Sequence, residues 1–499
     1  MKSAEFLLLK VRERTIFQRL SFFALLYTFP LLLTNVLYKD DIRRTIFASP
    51  ETWYRDGRPL MALLIELFTL GRATPDISPL PLLFGVLILS YALTCFGRKY
   101  LSDFTVWRVV LCLFTFIMSP LFLENLSFKY ESIGMCMSLS LFLFLFSLPD
   151  EITNTKLVFT SIIITLTVLL TYQASIGAFL ALLFLTALLE TDTKTINKII
   201  LSACSKCLGF LIAILAYLLI LSPRIVATDG YQGKVSQRVP LSTESLTILI
   251  RNCNYYFNLF TDVFFPGISS PITWLSITAL LAVLLYTLGK AFHHIKSKDY
   301  AKCIFTLLVP QLIILSSFLQ LCIFKIPVVM PRSLLSFNVF MLLTGIAIVS
   351  LTRTRRFSIL VFIPIYLSSF SFIFTYSNLL HTQRQYEEFI AKSVARDLNR
   401  IKNIDSTFLF YIDGRVLKTQ ELALAQKHYR ILNYLIVNIY HDYFWFGGDL
   451  ISHYTNFHFN VRKLEKKDYR NYQMITGNSV YRIMQKEKSV VVDFKHPVK

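Results

Sequence analysis

The sequence predicts a polytopic α-helical membrane protein carrying a small α/β domain at its C-terminal end. Three observations carry that expectation. Hydrophobic residues fill 54% of the 499 positions and charged residues only 16%, far from the balance of an ordinary soluble domain. Apolar runs of roughly 16–24 residues recur along the chain, the length range of transmembrane helices. From Thr375 onward the runs stop, leaving about 120 residues, enough to bury a core of their own.

Eleven spans are expected, at about residues 20–38, 81–96, 107–122, 133–148, 157–172, 175–190, 200–222, 272–289, 303–323, 335–352 and 357–376. No small-residue cleavage site follows the first run, so it is expected to be retained rather than removed as a signal peptide. Basic residues fall on alternate connections: Lys2, Lys10, Arg12, Arg14 and Arg19 precede the first span, and Arg98 and Lys99 follow the second. Lys290, Lys296, Lys298 and Lys302 follow the eighth; Arg353, Arg355 and Arg356 follow the tenth. Lys and Arg of short loops stay in the cytoplasm, which places the N-terminus inside and the C-terminus outside. The chain then divides into a transmembrane domain, 1–376, with outer loops near 39–80 and 222–271, and an outer C-terminal domain, 377–499.

The net charge of +20 points to anionic headgroups or phosphate-bearing substrates. No basic stretch is interleaved with aromatics, so nucleic acid is not an expected partner. Of eight cysteines only Cys253 lies clearly in an outer loop, and no disulfide framework is expected. Cys204 and Cys207 form a lone C-x-x-C at the inner end of a span, where helix packing is the expected role.

Within the first outer loop, Pro59 to Phe68 is apolar but too short to span, which predicts an interfacial helix. The second outer loop, with its aromatic-rich stretch from Asn254 to Gly267, is expected to be an ordered loop returning to the membrane surface. In the C-terminal segment, Tyr386 to Ile401 continues the last span as a helix. Thr407 to Ile412 reads as a buried strand ending in the turn Asp413-Gly414. Glu421 to Ile436 reads as helical, and Val480–Met484 and Val490–Phe494 as strands.

Chemistry-bearing residues gather at the outer ends of the spans. Asp40 and Asp41 follow the first span, with Arg43, Arg44, Trp53, Tyr54, Arg55, Asp56 and Arg58 behind them. Acids at a membrane boundary are costly unless solvated or paired, so the pair either caps a helix or works as a functional group. A carboxylate takes a proton from an attacking hydroxyl, guanidinium groups hold phosphate, and aromatic faces pack on sugar rings. Glu124, Lys129, Tyr130 and Glu131 occupy the turn between spans three and four, and Tyr172 with Gln173 the turn between five and six. Arg332 ends the list at the outer end of span ten, as a phosphate ligand or a snorkelling anchor. Six of the eight histidines (His381, His428, His441, His453, His458, His496) lie in the C-terminal segment without zinc-ligand spacing. Neither a phosphate-cradling glycine loop nor a serine nucleophile motif is present.

These residues resemble the bacteriophage-type O-antigen glucosyl transferases, serotype-converting membrane enzymes of the polytopic GT-C type that use lipid-phosphate sugars. The likeness rests on Tyr38-Lys39-Asp40-Asp41-Ile42-Arg43-Arg44, on Trp53 to Leu60 with its Asp-Gly-Arg-Pro core, on Glu124 to Ser132 and on Thr171-Tyr172-Gln173-Ala174. It runs through most of the membrane region and is weaker beyond it. It implies a GT-C-like fold, an undecaprenyl-phosphate glucose donor, an O-antigen repeat of lipopolysaccharide as acceptor, and action on the periplasmic side of the bacterial inner membrane. It further implies a catalytic acid where Asp40 and Asp41 sit, leaves the need for a divalent metal open, and suggests a donor-synthesising enzyme and a donor flippase as partners. Direct attack by the acceptor hydroxyl with inversion is the expected chemistry. An O-antigen polymerase or ligase is the near alternative. A lipid-linked-sugar transporter or flippase is the distant one, which would place ionisable residues at mid-span and show a repeat between halves.

Overall fold

The computed structural model describes residues 8–235, 237–239, 244–352, 354–401, 404–441, 445–455, 459–462 and 471–498; Lys2, Arg353, Asp442 and His458 lie outside them. Each of the eleven expected segments falls on an apolar helix, but the helices differ from the expected spans in length. Eight are long and apolar enough to cross a membrane, and Val106–Ile117 with Pro120–Ser127 makes a ninth only as a pair bent by 51°. Ser132–Ser147 and Phe337–Leu351, at 16 and 15 residues, are shorter than a full crossing requires.

The first helix corrects the sequence reading. It runs Val11–Thr34, ending short of Tyr38 and beginning well before Leu20. Its end is set by backbone that carries no glycine signal: Asn35 and Lys39 adopt φ values of 44° and 45°, a region costly for residues with a Cβ. A separate helix, Asp40–Phe47, then begins and ends on a left-handed Ala48. The second of the expected outer loops also departs from that reading, because its aromatic stretch lies on a 20-residue helix, Ser245–Phe264. The apolar stretch expected as an interfacial helix is helical over Pro59–Thr69, entered through proline at its first turn.

By internal contacts the chain forms two compact units: Met1–Phe29, Pro50–Arg72 and Ile77–Ile373 make the first, and Pro30–Ser49, Ala73–Asp76 and Phe374–Lys499 the second. In the first, Leu80–Tyr100 packs on Ser132–Ser147, Asn154–Thr171 on Ile196–Ala216, Gly177–Glu190 on Tyr300–Phe318, and Phe337–Leu351 on Val106–Ile117. Small residues permit the approach: a Cβ on Gly345 would lie 2.7 Å from the Cys112 carbonyl oxygen. Large apolar side chains such as Phe159, Ile163, Leu215, Leu285 and Ile304 stay exposed, the surface expected of lipid-facing helices.

The basic connections of this unit meet at one end. Arg12 donates to the carbonyls of Leu101 and Phe104 at 3.3 and 2.6 Å. Arg19 and Arg355 both lie over the Trp107 ring, at 4.3 and 5.3 Å. Lys99 and Lys194 bracket Asp150 at 3.0 and 2.9 Å, and Lys290 pairs with Asp192 at 2.7 Å.

The second unit is built on a five-stranded sheet: β1 Leu409–Asp413, β2 Asn460–Arg462, β3 Gln473–Gly477, β4 Arg482–Lys486 and β5 Ser489–Asp493. Their order is β2-β1-β5-β4-β3; β1 is parallel to both neighbours, and β5-β4-β3 is an antiparallel meander. Phe410, Ile412, Val490 and Val492 join Ile390, Val394 and Leu398 in its core. Those last three come from the C-terminal end of the 44-residue helix Arg355–Leu398, so the last expected span does continue as a helix past residue 376. Ile42 is in the same core, which is why Asp40–Phe47 groups with the C-terminal segment. The stretch expected as one helix over 421–436 is two, Gln420–His428 and Leu432–Leu435. Strands β2 and β3 are additions to the three expected ones, which correspond to β1, β4 and β5.

Candidate active site

In the first unit, segments far apart in sequence converge at the end of the bundle opposite the basic connections. Pro50 to Gly57 folds into a short helix and a turn that places Trp53 inward, fully buried. Gly57 closes the turn at φ 70°, where a Cβ would meet Val226 Cγ2 at 2.6 Å. Only glycine satisfies both demands. Glu131 precedes Ser132–Ser147 without capping it, and its carboxylate turns instead to Trp53 and Arg58. Its Oε1 accepts the Trp53 indole N–H at 2.6 Å and lies 3.5 Å from Arg58 Nη1. Arg58 Nε donates to Gln173 Oε1 at 2.8 Å, and Gln173 Nε2 reaches the carbonyls of Asp56 and Gly57 and the Tyr217 hydroxyl at 3.2–3.3 Å. Tyr130 is buried against Trp53, with ring centroids 6.3 Å apart, and Lys129 is half-buried in the turn beside it.

A second buried pair adjoins the first. Glu124, wholly buried, accepts the Arg332 backbone N–H at 2.9 Å and lies 3.8 Å from its Nε. Tyr172 bridges the two pairs: Arg58 lies over its ring at 5.1 Å, and its hydroxyl donates to the Arg332 carbonyl at 3.4 Å. Burial alone would pull the Arg58 guanidinium down; Glu131, Tyr172 and Asp56 outweigh it, against Arg332, and hold it above its ordinary value. The Tyr172 phenol is pushed up by burial, with Arg332 and Arg58 opposing. Arg58 therefore stays charged, and the planar forks of Arg58 and Arg332 are each held by a carboxylate and an aromatic face.

The acid pair belongs to the second unit, where its two members differ. Asp41 is fully buried, and its Oδ2 accepts the backbone N–H of Tyr38 at 3.2 Å, closing the turn that starts its helix. Asp40 keeps a third of its side chain exposed and lies 4.0 Å from Arg44. Tyr38 and Lys39 reach the carbonyls of Leu435 and Tyr434 at 2.6 and 3.5 Å. Arg43 faces Asp449 at 4.0 Å. A cavity of about 10 Å³ nearby is lined by Tyr38, Lys39, Gln383, Arg384, Glu387 and Phe446, among others. Among the described residues, no group of three or more His, Cys, Asp or Glu side chains is placed to hold a metal ion.

Carboxylates, guanidinium groups and aromatic faces thus meet at one end of the bundle. The glucosyl transferase GtrII family matches residues 29–349. The chain belongs to the GtrII glucosyl transferase family. The matched range takes in every sequence-predicted site residue from Asp40 to Arg332. A further relative is the uncharacterised 55.3 kDa protein encoded in the region 5′ of gtrB in Salmonella phage P22, 28% identical over 243 residues. That match covers 48% of this chain and 49% of the phage protein, so the chain spans about half the length of that relative. No solved structure matches.

Set against this GtrII chain, the sequence-predicted residues fall into two sets. Trp53, Arg58, Glu124, Lys129, Tyr130, Glu131, Tyr172, Gln173 and Arg332 lie in the first unit, and Asp40, Asp41, Arg43 and Arg44 in the second. Sequence reasoning missed Tyr217, which sits inside a π-helical stretch of a span and reads as apolar. It also missed Asp449, which follows two glycines and whose burial follows from tertiary packing alone. Its carboxyl is pushed up to about 6 by burial, with Arg43 pulling the other way.

Proposed function

We propose that this GtrII-family protein transfers glucose from undecaprenyl-phosphate glucose to a repeat unit of the O-antigen, on the periplasmic side of the bacterial inner membrane. The observation that carries the reading is the buried cluster of Arg58, Glu131, Tyr172, Gln173, Glu124 and Arg332, assembled from four helix-end segments of a glucosyl transferase family chain. A donor on a polyprenyl chain is reached from within the bilayer, which accounts for a glycosyltransferase with many spans. The basic residues gathered at the opposite end of the bundle support an N-terminus in the cytoplasm and eleven crossings, two of them by short helices.

The step is a direct displacement. An acceptor hydroxyl oxygen attacks the anomeric carbon as the bond from that carbon to the phosphate oxygen breaks, inverting the centre and releasing undecaprenyl phosphate. A carboxylate takes the hydroxyl proton. Asp40 is assigned that role because it is the solvent-accessible member of the pair, while Asp41 is engaged with the Tyr38 N–H. Negative charge building on the departing phosphate calls for a preorganised cation, and Arg58 and Arg332 are assigned to it. The C-terminal segment is assigned to holding the glycan acceptor.

The test is expression in a smooth-lipopolysaccharide host that supplies the lipid donor, with mass spectrometry of the O-antigen. The wild type adds one hexose per repeat, and the Asp40→Asn/Asp41→Asn double variant inserts normally and adds none. An unmodified repeat with the wild type overturns the function; full modification by the double variant overturns the assignment of the acids.

A further inference from the structure

We propose that Cys253 and Cys322 form a disulfide that fastens the second outer segment to the loop leading into Arg332. All eight cysteines are free thiols in the structure, yet these two, 69 residues apart in sequence, have their sulfurs 3.4 Å apart. An S–S bond of about 2.05 Å requires the sulfurs to close by only about 1.4 Å from that separation.

Contacts on both sides of the thiols hold them in register. Asn252, one residue before Cys253, donates to the carbonyls of Cys322 and Phe324 at 2.9 and 2.8 Å. One turn later on the same helix, the Tyr256 hydroxyl donates to the Val328 carbonyl at 3.1 Å, and its ring stacks on Phe318 at 5.9 Å. Backbone bonds from Val239 to Ile323 and from Lys325 to Gln237, at 2.9 and 2.8 Å, add the strand-like part of the same outer segment. The clamp lies upstream of Pro331–Ser333, the turn that presents Arg332 to Glu124. The bond therefore fixes the approach to one half of the candidate site.

Cys253 is half-buried and Cys322 buried, so Cys253 meets the oxidant. Its thiolate attacks the disulfide of a thiol-oxidising protein, the Cys322 sulfur then displaces the donor's thiolate, and the donor leaves as a dithiol. Two protons and two electrons pass from the cysteines in the exchange. That the loop faces an oxidising compartment rests on the orientation proposed above; the sulfur geometry does not.

The full-length protein in detergent is treated with oxidised glutathione, the remaining thiols are alkylated, and the peptides are mapped by mass spectrometry. The expected result is a Cys253–Cys322 linked peptide, lost in Cys253→Ser and in Cys322→Ala, and a melting temperature that dithiothreitol lowers in the wild type but not in Cys253→Ser. Absence of the linked peptide, or equal linkage to other cysteines, overturns the proposal. In cells, acid-quenched membranes carry the bond in an ordinary host and lack it in one without the thiol-oxidising system. A pair that links in detergent but is reduced in ordinary membranes overturns the bond and the assigned orientation together. Loss of glucosyl transfer with the bond intact bears on the transferase reading alone.

Discussion

Glu131 accepts the indole N–H of Trp53 at 2.6 Å across 78 residues of chain, and both side chains are shut away from solvent. The same carboxylate oxygen is the counter-charge of Arg58. One buried oxygen thus serves as structural acceptor and as electrostatic anchor. The two roles separate by mutation. Trp53→Phe removes the donor and shrinks a fully buried ring, costing about 1–3 kcal/mol for the lost hydrogen bond and more for the cavity left behind. Glu131→Gln keeps a carbonyl oxygen for the indole but strips Arg58 of its charge partner, which is costlier for a buried pair. Thermal melting in detergent ranks the variants, and transfer falls by more than about tenfold in Glu131→Gln.

Single exchanges of the acid pair are expected to diverge. Asp40→Asn leaves the melting temperature within about 0.5 kcal/mol equivalent of wild type, as for a partly exposed side chain, and removes glucosyl transfer. Asp41→Asn destabilises, because the charged acceptor of the Tyr38 N–H becomes a neutral one, and retains transfer in the fraction that folds. Mass spectrometry of the O-antigen beside a melting curve reads both. Transfer surviving in Asp40→Asn and lost in well-folded Asp41→Asn reverses the assignment.

The contrast between these acids also shows what the sequence could carry. Helix-end turns holding Glu124, Glu131, Tyr172 and Arg332 were legible because polar side chains beside long apolar runs have few cheap environments. Their mutual contacts follow from the bundle placing short connections side by side. The end of the first helix was not legible: Asn35 and Lys39 take left-handed backbone without glycine, so a continuous apolar pattern hid a break. Nor was the placing of Ile42 in a core with Phe410 and Val492, a contact that only tertiary structure defines. The helix Ser245–Phe264 was hidden for a different reason. Its aromatic and asparagine-rich composition suits a loop, and its partner segment 322–328 lies far along the chain.

Asp449 makes stability depend on pH. Its carboxyl is raised from 3.8 to about 6, first by burial, with Arg43 opposing. Among the described residues its Oδ2 finds no hydrogen-bond partner. Between those two values the folded chain holds a proton that the unfolded chain has released. Stability therefore falls as pH rises through that window, and the full cost, on the order of 3 kcal/mol, is present above it. Asp449→Asn is expected to match the wild type near the lower value and exceed it in melting temperature at pH 7. Arg43→Gln widens that gap by removing the opposing charge. Equal melting temperatures for wild type and Asp449→Asn across this range refute the account.

Gly345 tests the packing beneath the site. It lies on Phe337–Leu351 where that helix crosses Val106–Ile117, and a Cβ there would stand 2.6 Å from Thr115 Oγ1 and 2.7 Å from the Cys112 carbonyl oxygen. Backbone cannot yield as a flexible side chain does, so Gly345→Val forces the helices apart. The expected outcome is a fall in melting temperature and in the yield of monodisperse protein, with Gly345→Ala between it and wild type. Gly289 is the matched control, because nothing lies within 4 Å of the Cβ built there. Gly289→Ala should melt at or above wild type, gaining helix propensity of up to about 1 kcal/mol. A Gly345→Val protein as stable as Gly289→Ala would mean that the two helices do not approach as closely as the Cys112 carbonyl requires.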